Sequence, residues 1–245
     1  MTLSIATAVT TAPREEYWLS RCVSGLIRAS LPEPYFVFAE PDSLITESVL
    51  PHVIVRQHRE RMGAWRNWVA ALDETLQLAP SADAVLVVQD DTLLCRDAGT
   101  WLASRSLPPQ CGCVSVYTSR GYSGYCGRGL QRLPSRFYGD FWGACALLFP
   151  RASARLIVRY AAEAGWRGHA TVTLADPREK RGIDAFVGTA VQSLGCEIWI
   201  CNPSLARHDV EHSTLGHGQS TGYRRRALDY RGDDVSAFAV MEGTP

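Results

Sequence analysis

Lysine is almost missing from this chain: among 25 Lys and Arg residues only Lys180 is lysine. Such a bias is what a GC-rich coding sequence produces, and it carries no mechanism. Net charge is missing too, because 25 Asp and Glu residues cancel the 25 bases. No stretch approaches the roughly 18 to 20 apolar residues that a bilayer-spanning helix needs, so no membrane span is expected. The start of the chain, Met1 to Thr11, lacks a basic region and a long apolar core, which argues against a secretory signal and for a cytoplasmic protein. Eight cysteines are present, at 22, 95, 111, 113, 126, 145, 196 and 201, yet none forms a C-x-x-C pair. Only Cys111 and Cys113 lie close in sequence, so neither a zinc site nor a disulfide framework is expected, and the thiols read as small buried apolar groups.

What the chain does have is 245 residues, 46 % of them apolar and 20 % charged. That is enough to bury an ordinary core and excludes a disordered chain. The zero net charge hides an asymmetry: residues 1–100 hold 8 bases and 13 acids, a balance of −5, and residues 101–245 hold 17 and 12, a balance of +5. Neutrality of the whole therefore does not exclude a polyanionic partner.

Strands alternate with helices along the first half. Apolar runs at 4–9, 35–39 and 52–55 read as strands. Between the first two, Trp18, Cys22 and Leu26 share a face with Leu19, Val23 and Ile27, the spacing of an amphipathic helix. Trp65, Val69, Leu72 and Leu76 form a second helical stripe. Residues 84–88, Ala-Val-Leu-Val-Val, are apolar without alternation, as a central parallel strand covered on both faces should be. Strands at 113–117, 144–149 and 197–201 and helices at 151–164 and 183–194 follow, with a long Gly-rich segment at 118–143. Such a loop inside a domain is commonly functional. The pattern predicts a single open α/β domain over 1–215 whose ligands sit at the carboxyl ends of the strands. The Gly, Ser, Arg and Asp of 216–245 predict a flexible or ligand-ordered tail.

The central strand ends in Gln89-Asp90-Asp91. Two adjacent acids at the tip of a buried strand repel one another unless a cation or ligand hydrogen bonds offset the charge. Mg²⁺ or Mn²⁺, which take oxygen ligands and leave positions for water and phosphate, would do so. Taken alone, the pair reads equally as a cap for the turn that follows.

In context, Ala84-Val-Leu-Val-Val-Gln-Asp-Asp91 resembles the D-x-D motif of GT-A fold glycosyltransferases, with Gln89 in place of the first acid. The resemblance spans roughly residues 3–215 and implies a Rossmann-like, mostly parallel open sheet flanked by helices, with an irregular acceptor-side second half. It implies that Asp91 binds the metal bridging the diphosphate of a nucleotide sugar and that Asp90 lies near the ribose or sugar. Thr10, Thr11 and Glu40 fall where such enzymes hold the nucleotide base and ribose. Met62-Gly63-Ala-Trp65-Arg-Asn-Trp68 resembles the segment packed under the nucleotide, with Gly63 allowing close approach and the two tryptophans in the core. Asp140-Phe-Trp142-Gly143-Ala-Cys resembles the acceptor-side strand near the reacting sugar, which assigns Trp142 and Gly143 to the site. Arg181-Gly-Ile-Asp184 opens a helix where inverting members carry the general base, although an acid there also suits the helix dipole. Asn202-Pro-Ser-Leu-Ala-Arg-His208 resembles the closing signature, which implies His208 as a further metal ligand, with His212 a competitor and Ser213 and Thr214 near the phosphates.

The implied activity is metal-dependent transfer of a sugar from a nucleoside-diphosphate sugar to an acceptor hydroxyl, inverting if Asp184 is the base. Between Asp97 and Asp140 the chain has Arg105, Arg120, Arg128, Arg132 and Arg136, no acid, and the aromatics Tyr117, Tyr122, Tyr125, Phe137 and Tyr138. Basic residues interleaved with rings suit phosphate backbones and bases. That keeps a nucleic acid with a hydroxymethylated base as an acceptor class beside glycans and small molecules. Two rivals are a non-catalytic nucleotide- or glycan-binding module of the same fold and a nucleotidyltransferase. The latter expects a Gly-rich phosphate loop after the first strand, where this chain has Thr10-Thr-Ala-Pro-Arg14.

Overall fold

The computed structural model describes residues 2–14, 18–125, 127–164, 182–208 and 226–243. Its centre is an eight-stranded sheet, built from β1 (Ile5–Thr11), β2 (Tyr35–Ala39), β3 (Val53–Gln57), β4 (Ala84–Gln89), β6 (Cys111–Ser115), β7 (Gly129–Arg132), β8 (Ala146–Pro150) and β9 (Glu197–Asn202). The order is β3-β2-β1-β4-β8-β6-β9-β7. The first four strands run parallel, β9 is parallel to β6, and β8 and β7 are antiparallel to their neighbours. This is the expected α/β class with a mostly parallel sheet. A separate ribbon pairs β5 (Thr92–Leu94) with β10 (Ala206–His208).

The unbroken apolar run of β4 has the predicted cause. Ala84, Leu86 and Val88 enter one core while Val85 and Val87 enter the other. On the first face lie α1 (Trp18–Arg28) and α3 (Ala98–Ala103); on the second lie α2 (Ala64–Leu78), α4 (Arg151–Glu163) and α5 (Ile183–Ser193). Trp65 and Trp68 are core residues, as expected. The Trp65 ring centre is 4.1 Å from that of Phe186, and Trp68 meets Phe149 at 5.7 Å.

Three short strands and two short helices escaped the pattern reading. β5 and β10 have three residues each and β7 four, too short for a period, and they are held by pairing rather than by propensity. Residues 226–243 fall in the segment expected to be a tail, yet they are built into the fold. Leu228 pairs its N–H with Thr118 O, and α6 (Ala237–Glu242) buries Ala237, Val240 and Met241 in the first core. These three side chains join the cluster that Ala98, Trp101 and Leu102 of α3 also line. Placing Asp at Val240, 1 % exposed, would bury an unpaired carboxylate. It is expected to cost about 3 kcal/mol or more, lowering the melting temperature by roughly 6–12 °C; an unchanged melt would show that α6 does not dock in solution.

Candidate functional site

From β1 the chain steps outward to β2 and β3, then returns to place β4 on the other side of β1. That reversal opens a crevice at the carboxyl ends of β1 and β4, where open α/β sheets hold ligands. The last register pair is Thr10 with Gln89, and Asp90 N–H then donates to Thr10 O at 3.1 Å. The acid pair thus sits at the mouth of the crevice, with Asp90 3 % and Asp91 5 % exposed.

Each acid has its own partners. Thr11 Oγ1 donates to Asp90 Oδ2 at 2.6 Å. Arg14 Nη2 lies 2.9 Å from Asp90 Oδ1 and 2.8 Å from Asp91 Oδ2. On the far side, β10 pairs with β5 so that His208 stands opposite Thr92, and His208 Nε2 lies 3.1 Å from Asp91 Oδ2. The ribbon returns the chain, over a hundred residues later, to the residue next to Asp91. Asp91 Oδ1 is buried without a hydrogen-bond partner among the described residues.

The environments split the two acids. Burial pushes Asp90 up to about 6, with Arg14 opposing and the charge of Asp91 adding to the shift. Burial also works against ionised Asp91, but the His208 hydrogen bond and charge and the Arg14 pair outweigh it and hold that carboxyl below its ordinary value. His208 is the mirror image: burial lowers it, and the Asp91 hydrogen bond and charge raise it by more. A raised imidazole stabilises the fold below its unfolded value of about 6.5 and loses that contribution as pH rises through the folded value. In an NMR titration, Asp91→Asn should lower the His208 pKa, since the burial penalty stays and the attracting charge goes. An unmoved titration would overturn the contact.

At the end of β2, Glu40 is 3 % exposed; its Oε2 accepts the Met62 N–H at 2.8 Å, while Oε1 is buried with no hydrogen-bond partner among the described residues. Gly63, at φ 78°, turns the chain from there into α2. Asn67, absent from the sequence-based set, ties the strand ends together. Its Nδ2 donates to Phe38 O at 3.1 Å and Thr11 O at 3.4 Å, and its Oδ1 meets His58 Nε2 at 3.0 Å. At about 100° per residue Asn67 stands about 200° round the helix from Trp65, off the predicted Trp65–Val69–Leu72–Leu76 stripe, so the helical period carries no signal for it.

Asp184, in the first turn of α5, accepts the N–H groups of Gly143 and Ala144 on Oδ1 at 2.7 and 2.8 Å. The next residue, Cys145, gives its carbonyl to the Gln89 N–H at 2.9 Å and Thr92 Oγ1 at 3.1 Å. Asp184 is therefore fastened to both flanks of the acid motif through one short segment. A side-chain carbon at Gly143 would collide with Ser115 Oγ and the Phe141 ring, so only glycine fits. Trp142 beside it is 40 % exposed.

The Arg105–Arg136 region forms a packed knot. Tyr117, Tyr122 and Tyr138 are buried, at 6, 2 and 4 % exposure. Arg136 lies over the Tyr125 and Phe137 rings, Arg132 pairs with Glu197 at 2.9 Å, and Arg105 lies over Trp101. The geometry thus does not support phosphate or base recognition through this loop, because the rings that would stack on bases are largely folded inward. Arg181, His212, Ser213 and Thr214 lie outside the described residues.

Asp91 and His208 converge from two elements and suit Mn²⁺ or Mg²⁺ in donor type, and the orphaned Asp91 Oδ1 is an oxygen that a cation would satisfy. Among the described residues no cluster of three or more His, Cys, Asp or Glu side chains could hold a metal. The remaining ligands would be phosphate oxygens and water. No helix among the described residues is long and apolar enough to cross a membrane.

No protein-family model matches the chain, and no curated protein matches it in sequence. In three dimensions it is similar to GalNAc-T7, solved with UDP, GalNAc and Mn²⁺, with a TM-score of 0.58 and 13 % identity over 89 % of this chain. The matched region is 45 % of that protein, so the chain spans just under half its length. The likeness establishes the architecture: this is a GT-A-like α/β fold.

Proposed function

We propose that the protein is a metal-dependent glycosyltransferase that moves a sugar from a nucleoside-diphosphate sugar to an acceptor hydroxyl. The observation that carries this reading is the acid pair at the β1–β4 crevice, with His208 brought onto Asp91 from a distant strand and a buried Asp91 oxygen left without a hydrogen-bond partner among the described residues. An unsatisfied buried carboxylate oxygen is costly and marks a ligand position. Glu40 Oε1 repeats the signature two strands away, where a ribose hydroxyl would satisfy it. That GalNAc-T7 was solved with UDP and Mn²⁺ agrees with this chemistry.

In this reading Asp91 and His208 hold Mn²⁺ or Mg²⁺, which when bound supplies charge stabilisation for the departing diphosphate. Asp90 and Glu40 orient the ribose side, and Thr10, Thr11 and Gly63 line the nucleotide end. Trp142 and Gly143 border the transferred sugar. Asp184 takes the proton from the acceptor hydroxyl on the opposite face, giving inversion; its two backbone N–H bonds fix the carboxylate in orientation.

A thermal-shift screen of UDP- and GDP-sugars with and without Mn²⁺ tests the reading. One sugar nucleotide at about 100 times its Kd should add roughly 2.7 kcal/mol, a rise of about 5–11 °C, only when metal is present. Stabilisation without turnover to any acceptor or water would favour a nucleotide-binding module, and no response to any donor would sink the transferase reading and favour a glycan-binding module.

A further inference from the structure

Arg14 was no part of the sequence-based site, yet it is the cation seated on the acid pair. A single nitrogen, Nη2, bridges Asp90 Oδ1 and Asp91 Oδ2, and 13 % of the side chain is exposed. Asp91 Oδ2 is also the oxygen that His208 Nε2 meets. The guanidinium therefore stands where Asp91 and His208 converge. A divalent ion held by those two groups needs ligands at about 2.0–2.2 Å, and there it would meet a guanidinium on the same oxygen. The two cations compete. The seat is also incomplete for the arginine: Nε is buried with no hydrogen-bond partner among the described residues. A guanidinium with an unused donor, beside a site for a diphosphate, has a better partner available, since its planar fork matches phosphate oxygens two at a time.

We propose that Arg14 is a latch: it holds the acid pair closed against the metal until a nucleoside diphosphate draws the guanidinium away, so that metal and nucleotide enter together. This rests on the reading of Asp91 and His208 as metal ligands. The latch makes metal and nucleotide binding mutually dependent, and that coupling is reciprocal.

The test measures Mn²⁺ binding, by the EPR signal of free Mn²⁺, to wild type, Arg14→Gln, Arg14→Lys and Asp91→Asn, each alone and with UDP or GDP, after subtracting the Mn²⁺–nucleotide complex. Wild type should bind Mn²⁺ weakly alone and at least about tenfold more tightly with the accepted nucleotide. Arg14→Gln should bind Mn²⁺ alone at least about tenfold more tightly than wild type and gain less from the nucleotide. Arg14→Lys, a compact charge that does not reproduce the fork, should fall between. Because Arg14→Gln leaves two adjacent acids uncompensated, its melting curve is recorded with and without Mn²⁺. Mn²⁺ should raise that melting temperature more than it raises the wild-type value. If wild type already binds Mn²⁺ alone as tightly as Arg14→Gln and Arg14→Lys while Asp91→Asn does not bind, the latch is overturned and the metal site stands. If folded wild type and Arg14 variants all fail to bind Mn²⁺ with or without nucleotide, the metal reading falls and the latch with it.

Discussion

Asp91→Asn is expected to lower metal-dependent turnover of the nucleotide-sugar donor by about a thousandfold or more, with the fold retained. The size follows from the job assigned to the carboxylate. A metal at a departing diphosphate contributes several kcal/mol of charge stabilisation, and each 1.36 kcal/mol is a factor of ten in rate. The substitution keeps the shape of the side chain and removes its charge, so Thr92 and the β5–β10 pairing are left in place. Arg14 retains Asp90 as a partner. Nucleoside diphosphate release, followed by chromatography at saturating Mn²⁺, reads the loss, and circular dichroism reads the fold. His208→Ala should lose Mn²⁺ affinity in parallel, because it removes the ligand facing the same oxygen. Full activity in both variants would remove the metal from the mechanism.

Gly188→Ala should be the most damaging conservative change outside the acid pair. Gly188 lies in α5, where an added carbon would collide with the Tyr138 carbonyl oxygen and press on Phe141. Neither neighbour can yield cheaply: one is backbone, and Phe141 is 2 % exposed. α5 or residues 135–141 must therefore move. Overpacking of this kind costs about 1–3 kcal/mol and sometimes more, a fall of roughly 2–12 °C in melting temperature for a chain of this size. The displacement has a functional consequence as well. α5 carries Asp184, which holds Gly143 and Ala144 through paired N–H bonds. Donor hydrolysis and transfer should both fall by at least tenfold, even at a temperature where the variant remains folded. A variant with wild-type melting and turnover would show that α5 tolerates the shift.

Much of the architecture was legible in the residues because its causes are local or periodic. The helical stripes of α1 and α2 and the unbroken run of β4 report burial directly: a strand covered on both faces needs no polar alternation. The place of Asp90 and Asp91 at the end of that strand was equally legible, since chain direction and hydropathy locate a strand's carboxyl end. Residues that work through long-range pairing were not. Nothing in Thr92-Leu-Leu or Ala206-Arg-His announces a strand. Those segments are strands because each satisfies the other's backbone, and only that pairing brings His208 to Asp91. The aromatic and basic residues of 105–138 misled for the converse reason, because composition cannot tell a ring that faces solvent from one folded under its own loop.

The sequence by itself determined the α/β class, the two covered faces of the sheet and the acidic tip at which a ligand would be sought, all properties of residues near one another in the chain. The tertiary structure alone decided what surrounds that tip. Arg14 sits between the two acids, His208 arrives from a ribbon, Asn67 fastens the strand ends, and residues 226–243 complete a core rather than trailing from it. These are contacts between segments tens to over a hundred residues apart. Their energies come from desolvation and charge pairing in a pocket that does not exist until the sheet has formed.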